Sequence, residues 1–110
     1  MDWLTVCADG DIAEGEALVV DRARTGHVDD IAVFFEAGRY SALDDTCTHD
    51  RASLAEGWVE DGEVECPLHA ARFCLDDGRA LCLPAVKDTR THAVEVRDGQ
   101  VLLLPAAARS

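Results

Sequence analysis

Two short segments hold the residues with the most obvious chemical use: Cys47-Thr48-His49 and Cys66-Pro67-Leu68-His69. Sixteen residues lie between His49 and Cys66. Each segment offers one thiolate and one imidazole, so two loops brought together present two sulfur and two nitrogen ligands. That set suits tetrahedral zinc or an iron–sulfur centre. Zinc modules usually pair Cys with Cys in one knuckle and His with His on a helix. The mixed pairing here points instead to a two-iron rhomb, with each loop giving sulfur to one iron and nitrogen to the other.

The weight rests on the four residues acting together. A lone Cys is usually a small buried hydrophobe, and a lone His is usually a surface or satisfied core residue. On that ground Cys7, Cys74 and Cys82 read as packing residues, and His27 and His92, with no Cys or His close by in sequence, read as ordinary core or surface histidines. Five cysteines cannot all enter disulfides, and a reducing compartment keeps most of them as thiols.

Short strands must position these loops. Apolar residues recur with a period of two along 16–20, 28–35, 39–43, 63–66, 92–96 and 101–104. Between the runs stand Ala37-Gly38, Asp61-Gly62, Asp77-Gly78 and Asp98-Gly99. Asp61-Gly62 and Asp98-Gly99 predict tight hairpins, because Asp-Gly tolerates the positive φ of a type I′ turn. One helical turn is expected at Ser53-Leu54-Ala55-Glu56, capped by Ser53 and stopped by Gly57. The pattern predicts an all-β sandwich or small barrel, with a loose tail from Ala106 to Ser110.

The chain has 110 residues, enough for one domain. Ten Lys+Arg against 22 Asp+Glu give a net charge of −12, which argues against a nucleic-acid partner, since phosphate binding needs clustered cations. No apolar run approaches the ~20 residues that span a bilayer. The acidic start Met1-Asp2-Trp3-Leu4 is unlike a secretory signal. The expectation is a cytoplasmic monomer with no membrane partner.

From Cys47 to Ala85 the sequence resembles the Rieske family, specifically the small soluble Rieske ferredoxins of bacterial multicomponent aromatic-ring dioxygenases (biphenyl, naphthalene and carbazole types). The likeness lies in the two ligand pairs, Ala52-x-Leu54 and Gly57 between them, Phe73 with Gly78 and Leu81, and Leu83-Pro84-Ala85. It implies the Rieske fold, an antiparallel β-sandwich or barrel, with residues 1–110 as one domain and a small cluster-binding β subdomain, about 45–85, inserted in a basal β domain. It also implies a Rieske [2Fe–2S] cluster with Cys47 and Cys66 on the buried iron and His49 and His69 on the outer one. Pro84 would belong to the loop covering the cluster, where a fixed φ and a missing N–H suit an apolar site. Thr48, Asp50, Leu68 and Ala70 would surround the exposed imidazoles as the docking and electron-exit surface.

Departures from high-potential relatives bear on the reduction potential. Those relatives carry Ser two residues and Tyr four residues after the second ligand His, both donating to sulfur, where this chain has Ala71 and Phe73. Their disulfide is absent as well, since its second-loop position is Leu68. Ala70 also stands where the family commonly has Gly. From Asp44 to Glu65 eight acids face Arg51 alone, a local balance of −7 that disfavours an added electron and steers basic partners. The expected potential is near the bottom of the Rieske range, about −150 mV.

The resemblance implies a one-electron shuttle, not an enzyme in itself, between a flavin-containing NAD(P)H-dependent ferredoxin reductase and the Rieske non-haem iron terminal oxygenase of an aromatic-ring system. Alternatives are the small subunit of an assimilatory nitrite reductase or a ferredoxin of another oxygenase system, and, in a different class, a structural zinc module. The amino-terminal domain of an oxygenase is a further reading, against which the expectation sets the end of the chain at Ser110.

Overall fold

The computed structural model describes residues 3–48, 52–68, 71–82 and 87–106, with the side chain of residue 82 outside the description. Along the chain run β1 (Leu4–Ala8), β2 (Glu16–Val20), the helical turn α1 (Arg22–Thr25), β3 (Ile31–Glu36) and β4 (Arg39–Asp44). A 3₁₀ turn (Leu54–Glu56) follows, then β5 (Trp58–Glu60), β6 (Glu63–Glu65), β7 (Arg72–Cys74), β8 (Ala80–Cys82), β9 (Thr91–Arg97) and β10 (Gln100–Leu104). They build a six-stranded sheet, β1-β10-β9-β4-β3-β2, and a four-stranded sheet, β5-β6-β7-β8. All the pairings are antiparallel, and the expected all-β architecture is the one observed.

The smaller sheet lies in sequence between β4 and β9. The chain leaves the larger sheet beyond Asp44, which pairs with Ile31, and returns at Thr91, the cross-strand partner of Leu43. Strand β3 explains why its segment is an unbroken apolar run. Ala32 and Phe34 face a core shared with the smaller sheet, including Leu43, Leu54, Val64, Phe73 and both Cys47 and Cys66. Ile31 and Val33 face a second core with Val20, Ala42, Val101 and Leu103. Burial on both faces removes the polar alternation that a one-sided strand would show.

Turn chemistry holds as read. Ala37, Asp61 and Asp98 have φ of 54°, 52° and 54°, each followed by a Gly at 77°, 78° and 76°, the signature of I′ turns. Three local expectations change. Strand β3 begins at Ile31, and Val28 is 72% exposed. Ser53 precedes the 3₁₀ turn but makes no side-chain cap; its hydroxyl donates to Asp45 Oδ1 at 2.8 Å. Ala106, expected in a loose tail, donates its N–H to His92 Nδ1 at 2.9 Å; 107–110 lie outside the described residues.

Among the described residues, no helix is long and apolar enough to cross a membrane.

Candidate metal centre

Cys47 and Cys66 occupy matched places. Thr46 bridges Ser53 across the first loop, and Glu65 pairs with Arg72 across the second. One residue further in, Cys47 N–H donates to the Ala52 carbonyl at 2.9 Å and Cys66 N–H to the Ala71 carbonyl at 2.6 Å. Each loop therefore closes from its cysteine to the residue five positions on. Both cysteines are buried, at 3% and 0% exposure, in the core that also holds Ala52, Ala71 and Phe73. Leu68, beyond Cys66, is 46% exposed.

The predicted residues His49, Asp50, His69, Ala70 and Pro84 lie outside the described residues. What the structure brings together are the two thiols and the backbone of the loops that carry them. Cys7 and Cys74 are half-buried and make no disulfide, in keeping with packing roles.

The root of the first loop is clamped residue by residue. Asp44, the last residue of β4, takes His27 Nε2 and His92 Nε2 on the same oxygen, each at 2.8 Å. Asp45 accepts from the Ser53 hydroxyl at 2.8 Å and from Ala55 N–H at 3.0 Å, while its own carbonyl takes Leu54 N–H at 2.7 Å. Thr46 donates its N–H and hydroxyl to the Asp29 carboxylate at 3.1 and 2.8 Å. Beyond Cys47, the Thr48 hydroxyl donates to the Lys87 carbonyl at 2.6 Å. A ligand loop fixed at its base keeps its geometry when the charge it surrounds changes.

Burial pushes the Asp44 carboxyl up, but the hydrogen bonds and charges of His92 and His27 outweigh it and hold Asp44 below the ordinary 3.8. Burial raises Asp45 above that value, with Asp29 and Asp30 adding to it, despite the bonds from Ala55 and Ser53. The acid-rich stretch is thus not one solvated face. Asp44 and Asp45 act as internal acceptors, Glu63 and Glu65 pair with Arg72, and Glu56, Glu60 and Asp61 remain exposed.

Two glycines set the spacing around the loops. A Cβ on Gly57 would lie 2.0 Å from the Glu65 carbonyl oxygen, and one on Gly78 would lie 2.2 Å from that of Thr89. Gly78 also has φ of 75° and accepts the Thr89 N–H at 2.8 Å, tying the segment before β9 to the β7–β8 turn.

His27 and His92 correct the sequence reading. They are buried, as a core histidine should be, but each has a histidine partner: the rings meet edge-on with centroids 4.8 Å apart, and Asp44 joins them. Separations of 17 and 48 residues from Asp44 leave no local signal for this grouping. Their donor atoms and an Asp44 oxygen lie within 4.8 Å of one another, close enough to hold a metal ion. The Ala106 bond argues against that use. It requires a bare Nδ1 on His92, so the ring proton sits on Nε2, where a metal would need the lone pair.

A buried pair of thiols, placed alike in two equal loops, with a histidine following each in sequence, fits a cluster held unequally on its two sides. An all-β fold of two antiparallel sheets with paired Cys–His loops defines a small iron–sulfur electron-transfer domain. The chain belongs to the Rieske [2Fe-2S] domain family, whose pattern matches residues 2–106, and its cofactor is the family's [2Fe–2S] cluster. It is 44% identical over 109 residues to the 3-phenylpropionate/cinnamic acid dioxygenase ferredoxin subunit of Escherichia coli K12, covering 97% of this chain and 98% of that one. Among solved structures it matches a chain of the complex of reduced oxygenase and oxidized ferredoxin in carbazole 1,9a-dioxygenase, with TM-score 0.84 and 34% identity over 92% of this chain and 91% of the other. It also matches the ferredoxin of carbazole 1,9a-dioxygenase from Nocardioides aromaticivorans IC177, with TM-score 0.86 and 26% identity over 96% and 100% of the two chains.

Proposed function

We propose that this chain is the ferredoxin component of an aromatic-ring dioxygenase system. It takes single electrons from an NAD(P)H-dependent flavin reductase and delivers them to a terminal oxygenase, and it catalyses no reaction on the aromatic substrate. The observation that carries this reading is the pair of matched, cysteine-rooted loops, in a chain alike over nearly its whole length to a dioxygenase ferredoxin subunit.

In this reading Cys47 and Cys66 hold one iron through thiolates, and His49 and His69 hold the other through imidazoles. The cluster, when bound, stores and releases one electron. The protein's share is to keep the thiols from water, as their burial does, and to fix the loops through the Asp44, Asp45 and Thr46 bonds. Residues 45–85 act as the cluster-binding subdomain on a basal β domain. Leu68, which is exposed, contributes apolar contact to transient partners together with Pro84, while Asp50 and Ala70 complete the docking rim. The exposed acids Glu56, Glu60 and Asp61 steer partners that carry basic patches. The protein works in the cytoplasm as a monomer.

Reconstitution tests this directly. The purified holoprotein, added to an aromatic-ring dioxygenase's reductase and oxygenase, should restore NAD(P)H-dependent product formation, and its dithionite-reduced EPR spectrum should show mixed Cys/His ligation. Product formation that ignores the added chain, or an all-cysteine spectrum, would overturn the assignment.

A further inference from the structure

The outer face of the smaller sheet carries side chains that the metal centre does not use. In β5, β6 and β7 the inward residues Val59, Val64 and Phe73 pack into the core that holds the two cysteines. The alternate residues Trp58, Glu60, Glu63, Glu65 and Arg72 share the opposite face and line one cleft. Trp58 is 64% exposed there, a large apolar ring left in water beside four charges. Its cross-strand partner is Glu65, and Glu60 stands directly across from Glu63. Like charges in facing positions weaken a sheet. Arg72 answers two of the three carboxylates, pairing with Glu63 at 3.5 Å and with Glu65 at 3.1 Å. Among the described residues no ion pair or side-chain hydrogen bond engages Glu60. The face therefore lacks one cation. It also holds the two groups that would receive one, an open indole and an unpaired carboxylate two residues apart on β5. A guanidinium stacks on an indole and bonds a carboxylate through two parallel N–H groups.

We propose that Trp58 and Glu60 form a receptor for an arginine on the surface of the NAD(P)H-dependent flavin reductase, and so help to select the partner that loads the carrier. The proposal rests on the reading of the chain as an electron carrier between a reductase and an oxygenase. The patch adjoins the second cysteine loop, since Glu65 and Arg72 directly precede and follow it. A partner seated on the patch therefore reaches the loop and its exposed Leu68 as well. Charge chemistry favours the reductase as that partner. NAD(P)H carries a pyrophosphate, so the reductase must keep cations or helix N-termini where the nicotinamide meets the flavin. That positive field spreads to the nearby surface across which the flavin passes its electrons on. An oxygenase that admits an aromatic ring has no such requirement. A separate recognition patch lets one carrier tell its electron donor from its acceptor.

The test uses holoprotein with the reductase and oxygenase that it couples. Wild type is compared with Trp58→Ala, Trp58→Phe, Glu60→Gln and the double variant W58A/E60Q. Reduction by NAD(P)H and reductase is followed at several carrier concentrations, and oxidation by the oxygenase is followed separately. W58A should raise the KM for the carrier in the reductase step about tenfold, with kcat, reduction potential and EPR spectrum unchanged. W58F keeps an aromatic face and should recover part of that loss. E60Q should raise the same KM about threefold and weaken its dependence on salt. Because both groups hold one cation, the double variant should lose less than the product of the two single losses. Oxidation of W58A by the oxygenase should proceed at the wild-type rate. A wild-type KM in W58A overturns the proposal, as do strictly multiplicative losses or an equal loss in the oxygenase step. Wild-type holoprotein that the reductase fails to reduce at all would overturn the carrier reading itself, and the docking proposal with it.

Discussion

The α-carbon of Gly57 lies so near the carbonyl oxygen of Glu65 that a methyl group there would come within 2.0 Å of it. The φ of Gly57 is −85°, so the requirement for glycine is one of space, not of backbone conformation. Gly57→Ala should force the 3₁₀ turn away from β6 at the residue before Cys66. We expect a loss of about 1–3 kcal/mol, the usual cost of overpacking, read from urea unfolding, together with lower iron content in the purified protein. Wild-type stability with full iron content would show that the turn moves freely.

Exchanging an imidazole for a thiolate tests the ligand set. His49→Cys or His69→Cys should lower the potential toward the plant-type value of about −400 mV where the cluster survives. Potentiometry with EPR detection reads the change, and an unshifted potential would place the ligands elsewhere.

Ala71 and Phe73 are fully buried in the core that holds both cysteines. Ala71→Ser and Phe73→Tyr put hydroxyl groups into that core. If they reach sulfur they should raise the potential, because such donors favour the reduced cluster. A hydroxyl that fails to find an acceptor should cost about 1–3 kcal/mol in stability instead. Measuring both quantities on one sample separates the outcomes.

Asp44 and Asp45 should act on stability in adjoining pH windows. The pKa of Asp44 is lowered by folding, so its contribution is present above 3.8 and is lost as pH falls through the lower folded value. That of Asp45 is raised, so stability declines as pH climbs from 3.8 through the higher folded value. Asp44→Ala should cost on the order of 2–3 kcal/mol at neutral pH by stranding two buried N–H donors. Asp45→Asn retains an oxygen for Ser53 and Ala55 and should flatten the decline. Urea midpoints measured across acidic pH check both.

Reversal of charge at Glu56, Glu60 and Asp61 should slow association with the oxygenase and weaken its dependence on salt, leaving the potential almost unchanged. Stopped-flow oxidation of the reduced protein at several ionic strengths gives the answer; unaltered rates would put the steering charges elsewhere.

The I′ turns and the cysteine loops were legible because their signals are local: Asp-Gly pairs, and a Cys with a His two or three residues on. Strands β5, β7 and β8 have three residues each, too few to display a period. The turn α1 has its signals, with Asp21 accepting Ala23 N–H at 2.7 Å and Gly26 left-handed at φ 76°, but it buries no residue and so carries no apolar stripe. Val28 extended the apparent run of β3 because composition could not show that the neighbouring Asp29 and Asp30 are occupied as acceptors for Thr46 and Arg22. The histidine pair was hidden by distance along the chain, since only the pairing of β4 with β9 brings Asp44 beneath His92.

The pairing of Leu43 with Thr91 has a further consequence. The segment between them departs from and rejoins the large sheet across a single rung, so a foreign segment that matched this gap, the bonds on Asp44 and Thr46 at its root and the core shared with Ala32 and Phe34 could be transplanted. Electrochemical character can then diverge between relatives while the scaffold beneath is inherited intact.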